Sequence, residues 1–222
     1  MSPEKPETSV IVPVYDDYDS LRHTLEHLRA QTYPTQKMEI VVVDNGTPEA
    51  RRSDPSELHE SARLVVEPKK GSSAARNTGV RASTGAVLAF TDADCRPSPG
   101  WLEAGISALL GDDQIGLVGG RLEIITEGPR PTPAEVWEMR RGFPQEHYIR
   151  DLNFAATANM FTRRSVVEQV GPFQESLMSG GDREWGERVA ATGLDQRYCP
   201  DAVVEHPARR SLRGLMKKHL RT

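Results

Sequence analysis

Three aspartates lie at the ends of apolar, strand-like segments, where their carboxylates could bind a ligand. Asp44 closes the run MEIVVVD, and Asp92 and Asp94 follow the run AVLAF. In an open parallel sheet the carboxyl ends of the strands border the ligand crevice, so these side chains are expected to share one edge. Neighbouring carboxylates repel each other unless a cation or hydrogen-bond donors offset their charge. The pattern therefore predicts a ligand site at this edge.

The Asp-x-Asp spacing by itself carries little information, because the chain contains a second example. Asp17 and Asp19 flank Tyr18 just before a helical pattern. Aspartates at such positions commonly accept hydrogen bonds from the free amides of the first helical turn. We therefore interpret Asp17-Tyr18-Asp19 as helix capping and Asp92-Ala93-Asp94 as part of a site.

Composition limits the classes of protein to consider. The chain has 222 residues, of which 37% are hydrophobic and 27% charged, which is enough for one sizeable core. A net charge of -4 gives no reason to expect nucleic acid as a partner. Cys95 and Cys199 are too few for a disulfide framework, and no signal-peptide or membrane-spanning pattern is evident. We expect a cytoplasmic protein.

Short apolar runs alternate with helical patterns along the first half of the chain. This alternation predicts an α/β fold with a mostly parallel sheet covered by helices on both faces. After Glu127 the sequence becomes proline-rich, and then aromatic, charged and only weakly periodic. We predict a substrate-facing lid or loop region over residues 136–154. Helical patterns return at RRSVVEQV and DREWGERVAAT, followed by the strand AVVEH.

Six segments taken in order resemble glycosyltransferase family 2, whose members have the GT-A fold. They are SVIVPVYDD, IVVVDNGTP, GSSAARNTGVRASTGAVLAFTDADCRP, ANMFTRRSVVEQVGPFQE, GGDREWGERV and YCPDAVVEH. The match extends from Ser9 to His206. The resemblance implies a Rossmann-like, mostly parallel central sheet with a loop-rich acceptor side. It also implies one domain at 9–207 with a donor half (9–127) and an acceptor half (128–207). The polar, proline-containing start predicts a flexible tail at 1–8, and the basic and apolar spacing near the other end predicts a basic C-terminal helix at 208–222.

The resemblance implies a nucleotide-sugar-dependent enzyme that inverts the anomeric carbon, with uridine diphosphate as the default nucleotide. The implied cofactor is Mn²⁺ or Mg²⁺, which oxygen ligands suit. The implied metal ligands are Asp94, Asp92 and His206, although His206 could also be a strand-end histidine satisfied by hydrogen bonds. The implied contacts of the nucleotide sugar are Pro13, Tyr15, Asp44, Arg76, Asn77, Asp92 and Asp94.

Several of these side chains have a structural alternative. Arg76 and Asn77 lie at the start of a helix, where an ion pair with a nearby carboxylate would equally explain them. Asn159 either contacts the donor sugar or acceptor, or caps the turn before TRRSVVEQV. Among the tryptophans, Trp101 and Trp185 fall in helical patterns typical of core, so Trp137 is the candidate for sugar contact.

Asp182 is the residue that the resemblance implies as the general base. Many relatives have an acidic residue immediately before it, where this chain has Gly181. The alternative is that Asp182 is only the N-cap of the following helix, and Glu184 would then be the next candidate.

The segment Ala208–Thr222 holds six Lys or Arg and no carboxylate, with leucines at helical spacing. It could pack on the domain as an amphipathic helix, or contact an anionic membrane surface where lipid-linked acceptors reside. A sugar or small-molecule acceptor remains equally open from sequence.

Other functional classes fit the sequence less well. A sugar-phosphate nucleotidyltransferase needs a glycine-rich loop after the first strand, where this chain has PVYDD. An aspartate-nucleophile phosphatase has its Asp-x-Asp near the N-terminus, followed by Gly-Thr. A catalytically inactive nucleotide-sugar-binding or scaffolding relative is the remaining alternative.

Overall fold

The computed structural model describes residues 5–54, 56, 59–126 and 128–210. These residues form one eight-stranded sheet with helices on both faces, as the alternating pattern predicts. The strands are β1 (Thr8–Val14), β2 (Met38–Asp44), β3 (Ala62–Val66), β4 (Val87–Phe90), β5 (Arg96–Pro97), β6 (Ile115–Ile125), β7 (Met160–Arg163) and β8 (Asp195–Pro207). The helices are α1 (Tyr18–Arg29), α2 (Ser72–Ala82), α3 (Trp101–Leu110), α4 (Pro133–Arg141), α5 (Gln145–Leu152), α6 (Arg164–Val170) and α7 (Gly181–Ala191).

The strand order is β3-β2-β1-β4-β7-β6-β8-β5. Strands β1 to β4 pair in parallel, and so do β6 and β8. The short strand β7 runs antiparallel between β4 and β6 and thereby joins the two parallel groups. Consequently β1, β2 and β4 end at one edge of the sheet, and the segment with Asp92 and Asp94 begins there.

Alternate residues of β1 enter two different cores, because successive side chains point to opposite faces of a strand. Val10 and Val12 pack in the cluster that contains the apolar residues of α1 and α3. Ile11 lies in the other main cluster with Trp185 of α7. Trp101 and Trp185 are fully buried, which confirms the expectation that both belong to the core.

Residues 136–154 were predicted as a substrate-facing lid or loop, and the loop option is wrong because the structure has the helices α4 and α5 there. The lid option stays a prediction. Thr132 and Glu135 form a capping box at the start of α4, and Pro133 occupies its first turn. Asn153, in a left-handed conformation, ends α5. The Thr-Pro-Ala-Glu signature is readable in the sequence, but the apolar periodicity of these short helices is too weak to reveal them.

Strand β8 is much longer than the predicted AVVEH segment, and β7 was not predicted as a strand at all. The first half of β8 alternates between exposed and half-buried residues, and β7 has only four residues. Among the described residues, no helix combines the length and apolarity needed to cross a membrane. Residues 211–222, which include most of the predicted basic C-terminal helix, lie outside the described residues, as do residues 1–4.

Candidate active site

The segment after β4 presents a carboxylate and an imidazole to each other. The Oδ2 atom of Asp94 lies 3.8 Å from Nε2 of His206, near the end of β8. His206 is buried, whereas the Asp94 side chain is 40% exposed. Partial loss of solvent raises the pKa of Asp94; the nearby His206 opposes this rise, and Asp92 adds to it. A cation next to this carboxylate would stabilise its charged form.

The surroundings of His206 favour a ligand role for its Nε2 atom. Its Nδ1 atom lies 3.0 Å from the backbone oxygen of Pro207, which only accepts hydrogen bonds. The Nε2 atom is the ring nitrogen that faces Asp94, so it is the one placed to bind a cation together with that carboxylate. The ring also packs against Phe143, with 5.3 Å between the ring centres.

Potential ligand atoms of Asp94, Cys95 and His206 all lie within 4.8 Å of one another. Cys95 is fully buried, and this burial raises the pKa of its thiol well above the ordinary value. A protonated thiol is a poor ligand for Mg²⁺ or Mn²⁺, which prefer oxygen. The oxygen of Asp94 and the nitrogen of His206 are donor types that suit Mn²⁺.

Asp92 points to an arginine rather than to this pair. Its Oδ1 atom accepts a hydrogen bond from the guanidinium of Arg76 at 3.2 Å, which is the ion pair that the structural alternative for Arg76 predicted. Arg76 is largely buried, and its Nε–H has no hydrogen-bond partner among the described residues. A buried donor without a partner is costly, so the Arg76 side chain is suited to an additional acceptor such as a phosphate or ribose oxygen.

Helix α1 holds the turn that carries Asp94. The buried hydroxyl of Thr24 lies 2.7 Å from the backbone oxygens of both Ala93 and Cys95. Just beyond the C-terminal end of α1, Gln31 donates to the backbone oxygen of Ser98 at 2.7 Å and accepts from the amide of Leu102. The sequence interpretation treated α1 only as an amphipathic helix and missed these side chains. The available signal was a threonine, Thr24, among the leucines of its apolar face.

Asp17 caps α1 as predicted, since its side chain accepts a hydrogen bond from the amide of Ser20 at 3.2 Å. The second Asp-x-Asp triplet is therefore confirmed as a capping feature.

Asp44 is completely buried, and hydrogen bonds engage both of its carboxylate oxygens. Oδ1 accepts from the amides of Gly46 and Thr47 and lies 3.2 Å from Nε of Arg52. Oδ2 accepts from the hydroxyl of Tyr18 at 2.9 Å. Burial, followed by this hydrogen bond, raises the pKa of Tyr18. These hydrogen bonds fix the turn after β2, so the buried carboxylate of Asp44 has a structural role in this conformation.

Tyr15 and Pro13 lie at the end of β1, next to that turn. The Tyr15 ring is 56% exposed and approaches Gly46 of the turn after β2. Pro13 pairs in register with Val43 and is half-buried. An exposed aromatic ring at the carboxyl edge of the sheet offers a surface on which a nucleotide base can stack.

The structure shows internal contacts for the Asn77 side chain, and its contact with the nucleotide stays a prediction. Its side-chain amide donates to the backbone oxygen of Phe173 at 2.8 Å and accepts from the Phe173 amide at 2.9 Å. It also donates to Glu175, which Lys69 contacts at 2.6 Å. Both atoms of the amide are therefore used to hold the segment that leads from α6 to α7.

Asp182 lies in the first turn of α7, whose N-cap is Gly180, so the N-cap alternative for Asp182 is wrong. A Cβ atom on Gly181 would lie 2.5 Å from the hydroxyl of Ser73, so the start of α7 closely approaches the start of α2. Ser73 and Arg76 share one face of α2 because they are three residues apart. Through that face, α2 connects the start of α7 with Asp92.

The charged neighbours of Asp182 are arranged differently from those of Glu184. Glu184 forms two hydrogen bonds with Arg188, at 2.7 and 2.9 Å. Asp182 accepts from the amide of Arg183 at 2.9 Å and has no cationic side-chain partner within the described part of the chain. Burial raises the pKa of Tyr148, and the charges of Arg141 and Asp182 act on it in opposite directions.

Asn159 does not face a sugar, contrary to that option in the sequence interpretation. It is fully buried, accepts from the indole of Trp101 at 2.8 Å, and donates to the backbone oxygens of Arg121 and Ala202. The reason is its position on the turn before β7, which points into the core. Trp137 is 41% exposed on α4, with Arg141 stacked over its ring.

A cavity of about 160 Å³ adjoins the Asp94 turn and is lined by α1 and the segment after β8. Arg96 and Arg209 contribute positive charge to its wall. A larger groove of about 550 Å³ lies between α5 and the β6–β8 pair, and its lining includes Phe143, which packs against His206. The carboxyl edge of the sheet thus combines a candidate cation site with basic side chains that suit a diphosphate.

Comparisons with known proteins identify the family of this chain. The model of the family "Glycosyl transferase family 2" matches residues 9–171. The whole chain is 39% identical to Glycosyltransferase AglE of Haloferax volcanii and spans 73% of that protein. Over 95% of the chain it is 31% identical to the pre-mycofactocin glycosyltransferase of Mycobacterium tuberculosis, of which it spans 45%.

The fold is similar to that of the mannosyltransferase PcManGT from Pyrobaculum calidifontis, solved in complex with GDP-Man and Mn²⁺. The TM-score is 0.73 at 24% sequence identity, over 99% of this chain and 61% of that chain. This likeness supports the GT-A fold expected from the sequence. With the family match and the relatives, it leads to one conclusion: the chain belongs to glycosyltransferase family 2.

Proposed function

We propose that this glycosyltransferase moves a sugar from a nucleoside-diphosphate sugar to an acceptor hydroxyl with inversion at the anomeric carbon. The observation that carries the proposal is the link made by α2. This helix contacts Asp92 through Arg76 and the start of α7 through Ser73. A diphosphate-binding edge and the carboxylate of Asp182 are thereby held by one rigid element.

On the donor side, Asp94 and His206 would hold the divalent ion through an oxygen and the Nε2 atom. Such an ion stabilises the negative charge that develops on the leaving diphosphate. Arg76, kept in place by Asp92, has an Nε–H without a partner among the described residues and would add positive charge beside the donor diphosphate. Tyr15 offers its exposed ring to the base. Asp44 supports the turn beside Tyr15, and its direct contact with the nucleotide stays a prediction.

On the acceptor side, Asp182 is proposed to take the proton of the attacking hydroxyl. A sugar hydroxyl is a weak nucleophile at neutral pH, and a positioned carboxylate is a simple way to activate it. The N-terminal end of α7 favours the ionised form of this carboxylate. Since Glu184 is engaged with Arg188, Asp182 is the better suited of the two.

The donor panel for testing this proposal includes both uridine and guanosine diphosphate sugars. Uridine is the default that the family resemblance implies, and a guanosine diphosphate sugar, GDP-Man, is bound to the mannosyltransferase of similar fold. A lipid-linked acceptor and contact of the basic C-terminal segment with a membrane also belong to the proposal, as does a cytoplasmic location.

The experiment incubates the full chain with Mn²⁺ and each nucleotide sugar, and measures nucleoside diphosphate released with and without acceptor alcohols. NMR of the glycoside formed gives its anomeric configuration. Release of nucleoside diphosphate from one of the donors, together with a glycoside of inverted anomeric configuration, supports the proposal. Donor binding without any release would identify a catalytically inactive relative, and a retained configuration would overturn the inverting mechanism.

A further inference from the structure

Helix α4 buries its two glutamates and exposes part of its apolar side. Glu135 and Glu138 are 1% and 7% exposed, whereas Val136 and Met139 are 37% and 49% exposed. Glu135 completes the capping box with Thr132. A buried carboxylate is costly unless it is paired and hydrogen-bonded, so Glu138 needs partners from another part of the chain.

Two contacts of Glu138 come from the segment that follows His206. Its carboxylate accepts from the backbone amide of Arg209 at 2.5 Å and from the Arg209 guanidinium, through Nη1, at 2.9 Å. The hydroxyl of Thr132 donates to the backbone oxygen of Arg210 at 3.1 Å. Helix α4 therefore holds Arg209 by its main chain and by its side chain, three residues after the candidate metal ligand.

Arg209 and Asp94 line the same cavity. This cavity has a volume of about 160 Å³, which is room for about five water molecules. Groups that line so small a space lie within reach of one bound anion. Its wall also includes Arg96 and Asp17, and the Asp17 carboxylate accepts from the amide of Ser20 in the first turn of α1. The positive charge of Arg209 therefore lies beside the candidate cation site.

The guanidinium of Arg209 keeps donors available for a ligand. Its side chain is 34% exposed, and its ion pair with Glu138 uses Nη1. Within the described part of the chain, no contact engages its Nε or Nη2 atom. A planar guanidinium offers parallel N–H groups that match the oxygens of a phosphate. Because Glu138 already fixes its orientation, this side chain loses less freedom when a phosphate binds.

A diphosphate needs more positive charge than the metal ion alone supplies. The ion would share its charge with Asp94, and the leaving diphosphate gains negative charge as the bond to the sugar breaks. Arg76, paired with Asp92, supplies one guanidinium. Arg209 supplies another from the segment after β8.

We propose that Arg209 binds the diphosphate of the donor, and that Glu138 is the positioning residue that holds its guanidinium for this contact. Arg209 lies outside residues 9–171, which the family model matches. The inference rests on the proposed function and deepens it by adding a donor-binding residue that the sequence interpretation did not assign.

The test measures binding of UDP, GDP, ADP, CDP and dTDP to the full chain by calorimetry with Mn²⁺, in the absence of an acceptor. For a nucleotide that the parent chain binds, Arg209→Gln should lower the affinity by about tenfold or more, because a charge-assisted contact is lost. Arg150→Gln is the matched control, since Arg150 is also paired with a glutamate, Glu146, but lies on α5. This control should bind the nucleotide as the parent does.

Mn²⁺ affinity, measured by electron paramagnetic resonance without nucleotide, separates a contact with the diphosphate from a disturbance of the cation site. Arg209→Gln should bind Mn²⁺ at least as tightly as the parent, because the substitution removes a positive charge near the ion. Glu138→Gln retains an acceptor for the Arg209 amide but loses the ion pair, and it should lower nucleotide affinity by about threefold or more.

A parent chain that binds one of these nucleotides, with Arg209→Gln binding it equally, would overturn this inference and leave the proposed function standing. An equal fall in the Mn²⁺ and nucleotide affinities of Arg209→Gln would also overturn it, since the residue would then act through the cation site. Parent-like nucleotide affinity of Glu138→Gln would overturn the positioning role of Glu138. A parent chain that binds none of these nucleotides would instead contradict the proposed function.

Discussion

At the scale of single residues, three aspartates near the same edge of the sheet have different surroundings. Asp44 is buried among donors, Asp94 is partly exposed beside His206, and Asp182 starts a helix without a cationic side-chain partner in the described chain. A carboxylate with all of its acceptor sites engaged contributes to structure. One that faces an imidazole nitrogen is suited to share a cation with it, and one at a helix start is suited to take a proton.

Replacing Asp94 by Asn should remove cation binding while leaving the fold intact, because this side chain is partly exposed and outside the core. We expect the affinity for Mn²⁺, measured by electron paramagnetic resonance, to fall by at least about tenfold. Asp113→Asn is the control, since the Asp113 side chain is fully exposed. Equal affinity of the parent chain for UDP or GDP with Mn²⁺ and with chelator would remove the metal from the proposed mechanism.

Asp182→Asn should keep the hydrogen bond to the Arg183 amide but cannot accept a proton. Transfer rate should therefore fall by about 100-fold to 10,000-fold, with donor affinity and melting temperature nearly unchanged. Glu184→Gln serves as the matched carboxylate control and should retain the parent rate. An Asp182→Asn variant as fast as the parent would show that another group takes the proton.

At the scale of elements, the helices of the donor half act as supports for the site. Helix α1 holds the Asp94 turn through Thr24, Gln31 next to its C-terminal end holds the segment that follows, and α2 holds the segment before α7 through Asn77. The ligand-facing groups thus lie on short irregular segments whose backbone oxygens are fixed by helices. This is how a loop can position a metal ligand with the precision that catalysis needs.

Valine has nearly the same shape as threonine, so Thr24→Val removes only the hydroxyl that lies near the backbone oxygens of Ala93 and Cys95. We expect Mn²⁺ affinity to fall by about tenfold, because such outer-shell contacts orient the ligand. Thr24→Ser, which retains the hydroxyl, should stay near the parent value. Equal Mn²⁺ affinities of the Val and Ser variants would show that the hydroxyl does not position the Asp94 turn.

Asn77→Asp would remove the amide donor and place a second negative charge beside Glu175. Because Asn77 holds the segment that leads to α7, we expect kcat to fall by about tenfold or more through misplacement of Asp182, with the donor KM unchanged. Steady-state kinetics separates the two parameters. A raised donor KM at unchanged kcat would support the direct nucleotide contact that the sequence suggested.

At the scale of the whole molecule, the sheet joins two groups of parallel strands through β7. Phe161 of β7 packs against Trp101, with 5.0 Å between their ring centres, and approaches α3 at Gly105. The donor edge and the β6–β8 strands with His206 are thereby parts of one packed unit. This packing allows Asp94 and His206 to meet although they are distant in sequence.

Gly105→Ala should destabilise this unit, because a Cβ atom would lie 2.2 Å from the Phe161 ring. Overpacking of this kind typically lowers the free energy of unfolding by about 1–3 kcal/mol. Gly100→Ala, where no atom lies within 4 Å, is the control. Urea unfolding of both variants measures the difference, and equal midpoints would contradict the close packing of α3 on β7.

The sequence by itself determined the alternation of strands and helices, the carboxylates at strand ends, the capping by Asp17 and the resemblance to the family. These depend on residues close together in the chain, whose periodicity and spacing are visible in one dimension. Only the tertiary structure decided which polar side chains are supports. Thr24 reaches Ala93 across 69 positions, and Asn77 reaches Phe173 across 96. Likewise, Asn159 turned into the core and α4 exposed its apolar side, because their partners come from β8 and the segment after it. A hydrogen bond to a distant backbone atom has no local signature, since any backbone amide or oxygen can provide it.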